Sequence, residues 1–316
     1  HDADYIDTVM AMSERPNRWL PIRGLGPGDT PGFEGMHSVS ALIAGATTQA
    51  LEVVLDGRFQ RAFAPAGGLH HAHRGRAAGF CVYNDVAVAI HSALAHRPDL
   101  RICYLDIDAH HGDGVQESFY ADPRSLTISI HEDGRYLYPG TGSARERGEG
   151  PGAGTALNVP LPPLATPECY LLAFDEVVLP AVRAFGPDVV VTQNGADAHW
   201  QDPLTSLGQT ISGYDTLFHR IVALADEACG GRLVACGGGG YAWATVVPRV
   251  WTLLAASLAG IELPDPLPPE WRAQVTGLGF QAPSLLCEDP GPPLDDETRR
   301  EALRLTRRVI EQLRVT

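Results

Sequence analysis

Three aspartates and two adjacent histidines crowd into "ICYLDIDAHHGDG" (residues 102–114), directly behind an apolar run. Burying any one of these groups unpaired is costly, so their concentration at a strand end calls for a positive charge among them. Asp108 and His110 stand at i and i+2, a spacing that turns both side chains the same way on an extended chain and lets them grip one metal ion. Asp197, in "QNGADAHWQD", supplies a second carboxylate. One imidazole and two carboxylates leave room for water and substrate, which is the open arrangement of a catalytic metal. Zn2+ is the first expectation, and Fe2+ also suits a set this rich in oxygen. Asp106 and Asp113 are then left to orient the histidine pair His70 and His71 through their second ring nitrogens, which fixes the tautomer and raises basicity.

Each of these features has a plainer reading. A histidine pair is usually a surface or core feature, Asp-x-His occurs by chance, Asp197 suits a helix cap and Tyr241 an ordinary core aromatic. "GGGG" before Tyr241 is not a phosphate loop, because no lysine follows it. "GEGPGAG" (148–154) has no strand before it and reads as plain loop.

The argument for chemistry comes from placement. Short β-rich runs alternate with amphipathic helical ones, the pattern of crossover units around a parallel sheet. Strands are expected at 61–66, 101–107, 125–130, 188–193 and 232–236. Helices are expected at about 37–56, 84–96, 113–120, 167–185, 213–229, 243–259 and 294–314, the fourth opened by Thr166 and Pro167. Residues 131–156 read as a long Gly-rich loop, "PDPLPPE" after Leu263 as a stop to regular structure, and 21–35 and 280–294 as surface loops. Ligands of open parallel sheets bind beyond the carboxyl ends of the strands. The His70-His71 pair, the Asp106–Asp113 cluster, Asp197 and Tyr241 each follow a different expected strand, so four segments converge on one rim.

With 316 residues and 44% hydrophobic content, the chain is expected to be one α/β domain, 1–316, an open parallel sheet flanked by helices on both faces. A net charge of −14 argues against nucleic acid or an anionic membrane as partner and would attract cationic ligands. The basic residues are all arginine, from which no mechanism follows. The six cysteines are scattered without disulfide-scaffold or zinc-ribbon spacing and read as reduced cytoplasmic thiols. The longest apolar stretch, "VVPRVWTLLAASLAGIEL", carries Arg249 and Pro248 and reads as a buried helix. Neither a signal peptide nor a membrane span is expected.

In this order, "GGLHHA", "GFCVYND", "LDIDAHHGDGV", "SIH", "YPGTG", "GAD" and "GGGGY" make the chain resemble the zinc-dependent histone deacetylase family of the arginase/deacetylase superfamily. "QNGADAHWQDPLTSL" and "GGGGYAWATVVPRVWTLL" look closest to its bacterial acetoin-utilisation deacetylase branch. The resemblance implies metal ligands Asp108, His110 and Asp197, with His70 backed by Asp106 and His71 by Asp113. It implies Tyr241 as oxyanion donor, Gly79 and Phe80 as walls of an acyl-lysine tunnel, Asp29 as the rim carboxylate that holds substrate backbone, and Leu204 at the tunnel mouth. Tyr138 stands where the family usually has a phenylalanine opposite Phe80. A structural monovalent cation, usually K+, is implied near Asp106, Asp108, His110 and Ser129. Gly112 stands where a second, arginase-type metal would want an acid. The family's opening strand and helix would precede His1, together with an arginine of the inner acetate cavity.

The implied reaction is removal of acetyl or other short acyl groups from acetyl-lysine in proteins or peptides, releasing acetate, with His71 as general base and His70 as its electrostatic partner. An acetylpolyamine amidohydrolase acting on small acetylated amines shares this machinery. A non-catalytic acyl-lysine binding module would have no use for a base and an oxyanion donor.

Overall fold

Along the central strand, alternate side chains enter two different cores: Cys103 and Leu105 pack on one side, Ile102 and Tyr104 on the other. This period of two buries a sheet on both faces. The computed structural model describes residues 1–16 and 18–315. In chain order the elements are α1 (Ala3–Glu14), α2 (Met36–Leu55), β1 (Arg61–Ala64), α3 (Asp85–His96), β2 (Ile102–Asp106), α4 (Asp113–Phe119), β3 (Ser125–Glu132), β4 (Ala156–Leu161) and α5 (Pro167–Ala173). They continue with α6 (Leu179–Phe185), β5 (Val189–Gln193), α7 (Ile211–Cys229), β6 (Leu233–Cys236), α8 (Val247–Ala259), α9 (Pro269–Gly277) and α10 (Asp296–Val315). A π-helical stretch, Phe174–Val178, joins α5 to α6.

The six strands form one parallel sheet in the order β1-β6-β5-β2-β3-β4. From β2 the chain proceeds through β3 to β4 in one direction, whereas β5 and β6 lie on the other side of β2. This reversal opens a crevice at the carboxyl ends of β2 and β5. Helices α2, α3 and α4 cover one face. Helices α5 to α8 and α10 cover the other. By length and composition α2 is the one helix among the described residues that could cross a membrane, but Leu51 and Val54 pack it into the core.

Several elements depart from the expected pattern. β4 begins at the last residue of the expected Gly-rich loop, in a stretch where no strand is expected; Pro160 obscures it, and an edge position beside β3 tolerates that proline. α9 begins at Pro269, within the segment expected to stop regular structure, because proline at a first helical turn starts a helix. α1 packs Tyr5, Val9 and Met12 against Val82 and Tyr83, and the Tyr5 hydroxyl donates to the Val82 carbonyl at 2.7 Å. It therefore braces the loop that follows β1. Helix α8 also starts four residues later than expected, with Pro248 in its first turn.

The C-terminal region reaches the crevice through one buried carboxylate. Asp289 accepts from Trp200 Nε1 (2.7 Å), Ile211 N (2.9 Å) and Gly291 N (2.9 Å), and lies 2.7 Å from His199 Nε2. Burial opposes its charge, but these partners outweigh burial and hold the carboxyl well below its ordinary range. A carboxylate depressed on folding stabilises fully above its unfolded pKa, about 4, and loses that contribution as pH falls. Asp289→Ala should cost about 3 kcal/mol at neutral pH. In urea melts the gap to the parent protein should narrow below about pH 4. A gap independent of pH would mean that Asp289 acts through packing alone.

Candidate metal centre and active site

The turn that carries the histidine pair is held from the start of α3. Buried Asp85 accepts from Gly68 N (3.0 and 3.1 Å to its two oxygens) and Leu69 N (2.7 Å). Asn84 caps α3 by accepting from Ala87 N at 2.9 Å, while its amide donates to the carbonyls of His70 (3.1 Å) and Ala72 (3.0 Å). The sequence patterns single out no role for Asn84 or Asp85, although Asn-Asp before a helical pattern is a readable capping signal.

Within that turn, His70 Nδ1 lies 2.8 Å from Asp106 Oδ2 and His71 Nδ1 lies 2.7 Å from Asp113 Oδ1. Both pairings are those expected. The two Nε2 atoms face each other at 3.1 Å. Since carboxylates only accept, both Nδ1 atoms carry protons, and the facing nitrogens share at most one more. Burial opposes charge on both rings. At His70 the charges of Asp106 and Asp108 overcome it and raise the imidazole to about 9, whereas at His71 burial and the neighbouring His70 lower it to about 4. One ring is thus held as a cation and the other as a neutral acceptor, the division of labour of an acid–base pair.

His110 Nδ1 stands 3.1 Å from Asp108 Oδ1 and 2.9 Å from Asp197 Oδ2, and all three residues are buried with ligand atoms within 4.8 Å of one another. Asp108 and His110 follow β2, Asp197 follows β5, and the crevice between these neighbouring strands joins them. The remaining carboxylate oxygens are oriented by Gln193 Nε2 (2.6 Å) and Gly239 N (2.8 Å) on Asp108, and by Ala109 N (2.9 Å) on Asp197. A Cβ at Gly195 would lie 2.1 Å from Asp108 Oδ2, and one at Gly239 would lie 2.1 Å from Asp197 Oδ2. These two glycines are therefore required by the carboxylates. Burial opposes charge at His110 too, yet the two aspartates raise its ring to about 11. The site demands a cation at Nδ1, and a divalent ion with nitrogen and oxygen ligands fits there in place of that proton. At position 112 a Cβ would lie 2.3 Å from Asp106 Oδ2, which leaves no space for an acid.

A cavity of about 190 Å3 opens above these groups, lined by His70, His71, Gly79, Phe80, Asp108, His110 and Tyr241 among others. Gly79 adopts φ +51°, and a Cβ there would approach His71 Cδ2 to 2.2 Å. Phe80 is left-handed as well (φ 67°), an unusual conformation for an aromatic residue and of a kind that clusters at ligand sites. Its half-exposed ring packs edge-on to Tyr241 with centroids 5.9 Å apart. Burial and the charges of Asp108 and Asp197 push the Tyr241 hydroxyl far above its ordinary range, so it keeps its proton and can donate. Asp202 ties the rim together, accepting from Tyr241 N (2.8 Å) and Leu204 N (3.0 Å), with Leu204 exposed beside it. Asp29 Oδ2 accepts from Gly79 N at 2.9 Å, so its carboxylate stands beside a residue that lines the cavity and does more than bond within its own turn. Tyr138 packs edge-on to His71 at 5.1 Å and also lines a neighbouring cavity of about 580 Å3.

The residues expected around a monovalent cation are brought together. Asp106 and Ser129 are partners across β2 and β3, and Asp108 N donates to Asp106 Oδ1 at 3.1 Å. The Ser129 hydroxyl lies 2.9 Å from His131 Nδ1.

Residues 1–258 match the family model of the histone deacetylase domain. The acetoin utilization protein AcuC of Bacillus subtilis (strain 168) is 44% identical over 273 residues, covering 86% of this chain and 70% of that protein. The protein of the same name from Staphylococcus aureus (strain MSSA476) is 41% identical over 274 residues, with the same 86% and 70% coverage. Among solved structures, an HDAC homolog from Aquifex aeolicus superimposes with a TM-score of 0.84 at 31% identity, over 97% of this chain and 84% of that one. An HDAC homolog complexed with SAHA matches with the same values: TM-score 0.84, 31% identity, 97% and 84% coverage.

Proposed function

Since the chain belongs to the histone deacetylase family, in its acetoin-utilisation branch, and is a deacetylase, we propose that it removes acetyl groups from acetyl-lysine in peptides or proteins with zinc at Asp108, His110 and Asp197. The observation that carries this reading is that His71 and Tyr241 line the same small cavity as Asp108 and His110, two of the three buried residues whose possible ligand atoms cluster within 4.8 Å. A bound divalent ion supplies Lewis acidity, which polarises an acyl oxygen and makes water acidic near neutral pH.

His71 would serve as base through Nε2, since Asp113 holds its Nδ1–H, taking the water proton once that nitrogen parts from His70 Nε2 and returning it to the leaving amine. His70, kept charged by Asp106, balances the site's carboxylates. Tyr241 donates to the oxygen that gains charge. Gly79 and Phe80 would wall the acyl chain with Tyr138 opposite Phe80, and Leu204 would lie at the mouth. A structural K+ beside Asp106, Asp108, His110 and Ser129 belongs to the same reading, as does a single catalytic domain over 1–316. The cysteines are all free, which suits a reducing cytoplasm.

The net charge of −14 would also draw a small acetylated polyamine, and Asp29 separates the two substrates. A rim carboxylate that accepts substrate backbone N–H groups turns remote binding into correct placement of the acetyl group. Asp29→Ala should lower kcat/KM for acetyl-lysine peptides about tenfold and leave acetylspermidine hydrolysis nearly unchanged. Asp29→Asn keeps an acceptor for Gly79 N and separates wall support from charge. Equal losses on both substrates would assign Asp29 to the wall. For the function itself, acetate release from an acetyl-lysine peptide and from acetylspermidine should be compared with and without chelator. Peptide turnover abolished by chelator is the expected result. Turnover of acetylspermidine alone would move the assignment to polyamines, and undiminished turnover in chelator would remove the metal from it.

A further inference from the structure

The carboxylate behind His71 has a second imidazole. Asp113 Oδ1 faces His71 Nδ1 at 2.7 Å, while its other oxygen, Oδ2, lies 3.3 Å from Nε2 of His73. The opposite nitrogen of His73 pairs with Glu117, one helical turn beyond Asp113 on the same face of α4. His73 is buried, whereas Glu117 is exposed at the surface of the cavity beside the site. Two carboxylates flanking one imidazole favour the doubly protonated ring; burial opposes that charge, and Asp113 and Glu117 outweigh burial.

We propose that His73 is a positioning residue for the deacetylation step: its Nε2–H holds Asp113 Oδ2, so that Asp113 Oδ1 stays on His71 Nδ1 and the His71 ring keeps its tautomer and its place at the cavity. The inference rests on the assignment of His71 as general base. A carboxylate bonded through one oxygen can turn about its own Cβ–Cγ bond, and a second donor on the other oxygen stops that rotation. Partners of this kind, one bond removed from the chemistry, typically matter by about tenfold to a hundredfold in activity. Arg76 is the competing contact. Its Nη2 lies 2.7 Å from His73 Nε2, and a guanidinium only donates, so Nε2 either accepts from Arg76 or, carrying its own proton with Arg76 turned away, donates to Asp113.

Side-chain amides separate the two nitrogens of His73, since glutamine can place an N–H near the position of Nε2 and asparagine near that of Nδ1. In the metal-loaded protein, His73→Leu should lower kcat for an acetyl-lysine peptide by about tenfold and leave KM within about twofold. His73→Gln should recover most of that loss and His73→Asn should not. Arg76→Gln should leave kcat unchanged. A readout independent of turnover is the far-downfield NMR signal of the His71 Nδ1 proton, assigned by its loss in Asp113→Asn. It should exchange faster with solvent in His73→Leu and be protected again in His73→Gln. Recovery by asparagine as good as by glutamine, a loss confined to KM, or a proton signal unmoved in His73→Leu would each overturn the proposal. A kcat loss in Arg76→Gln equal to that of His73→Leu would transfer the role to Arg76. Should the leucine variant not fold, the glutamine and asparagine variants carry the comparison by themselves. Absence of deacetylation in the parent protein would defeat the functional reading, while the proton signal would still test the hold of His73 on Asp113.

Discussion

Asp197→Ala should lose the metal ion and all hydrolysis together. Asp197 Oδ2 stands 2.9 Å from His110 Nδ1, and its other oxygen is held by Ala109 N at 2.9 Å, so the side chain is already oriented before an ion arrives. Burial and the neighbouring Asp108 push its carboxyl up, which means that in the ion-free chain the two acids resist ionising side by side. A divalent cation removes that conflict and displaces the His110 proton. Binding should therefore release protons, and metal retention should fall as pH falls. Alanine leaves one carboxylate and one imidazole, too few ligands to hold the ion. Elemental analysis after gel filtration and acetate release are the two measurements. A variant with full metal content would refute the ligand assignment, and full turnover without the ion would refute the metal's part in the reaction.

Tyr241→Phe is expected to keep the metal and bind substrate with little change, yet to lower kcat by roughly a hundredfold or more, because the lost hydrogen bond strengthens only as charge develops on the acyl oxygen. The ring contact with Phe80 survives the change, and the Asp202 bond is made by the Tyr241 backbone, so the site should keep its shape. His71→Ala should be at least as severe, since it removes the imidazole proposed as general base. Near-normal kcat in Tyr241→Phe would take Tyr241 out of the oxyanion role. A loss confined to KM would make it a binding residue instead.

Much of the site was legible because its residues follow strands and are punctuated by glycine. Asp106, Asp108, His110 and Asp113 sit within one short stretch, where alternation of side chains decides which of them point together. The paired hydrogen bonds His70–Asp106 and His71–Asp113 follow from the need to orient each imidazole. Less legible were the residues that act on the backbone or on a ligand from a distance in sequence. Gln193 is a strand-end glutamine like any other until its amide meets Asp108, 85 positions away in the chain. His73 looks like the tail of a histidine run until α4 brings Asp113 and Glu117 to it. Asp289 lies in a Pro-rich loop, and nothing local tells that it will satisfy donors near Asp197 and at the start of α7.

By itself the sequence determined the kinds of group present, the parallel α/β plan and the rim on which the polar groups fall, because periodicity, capping and glycine requirements act within a few residues of the chain. Only the tertiary structure decided that β5 lies beside β2, and with it that Asp197 meets Asp108 and His110. It also decided which glycines are obligatory: Gly195 and Gly239 could be replaced as far as their neighbours in sequence are concerned, but a Cβ on either would enter a ligand carboxylate. Strand order is set by how separate helices cover the two faces of the sheet, a balance of packing between segments far apart in the chain, and no local pattern carries that information.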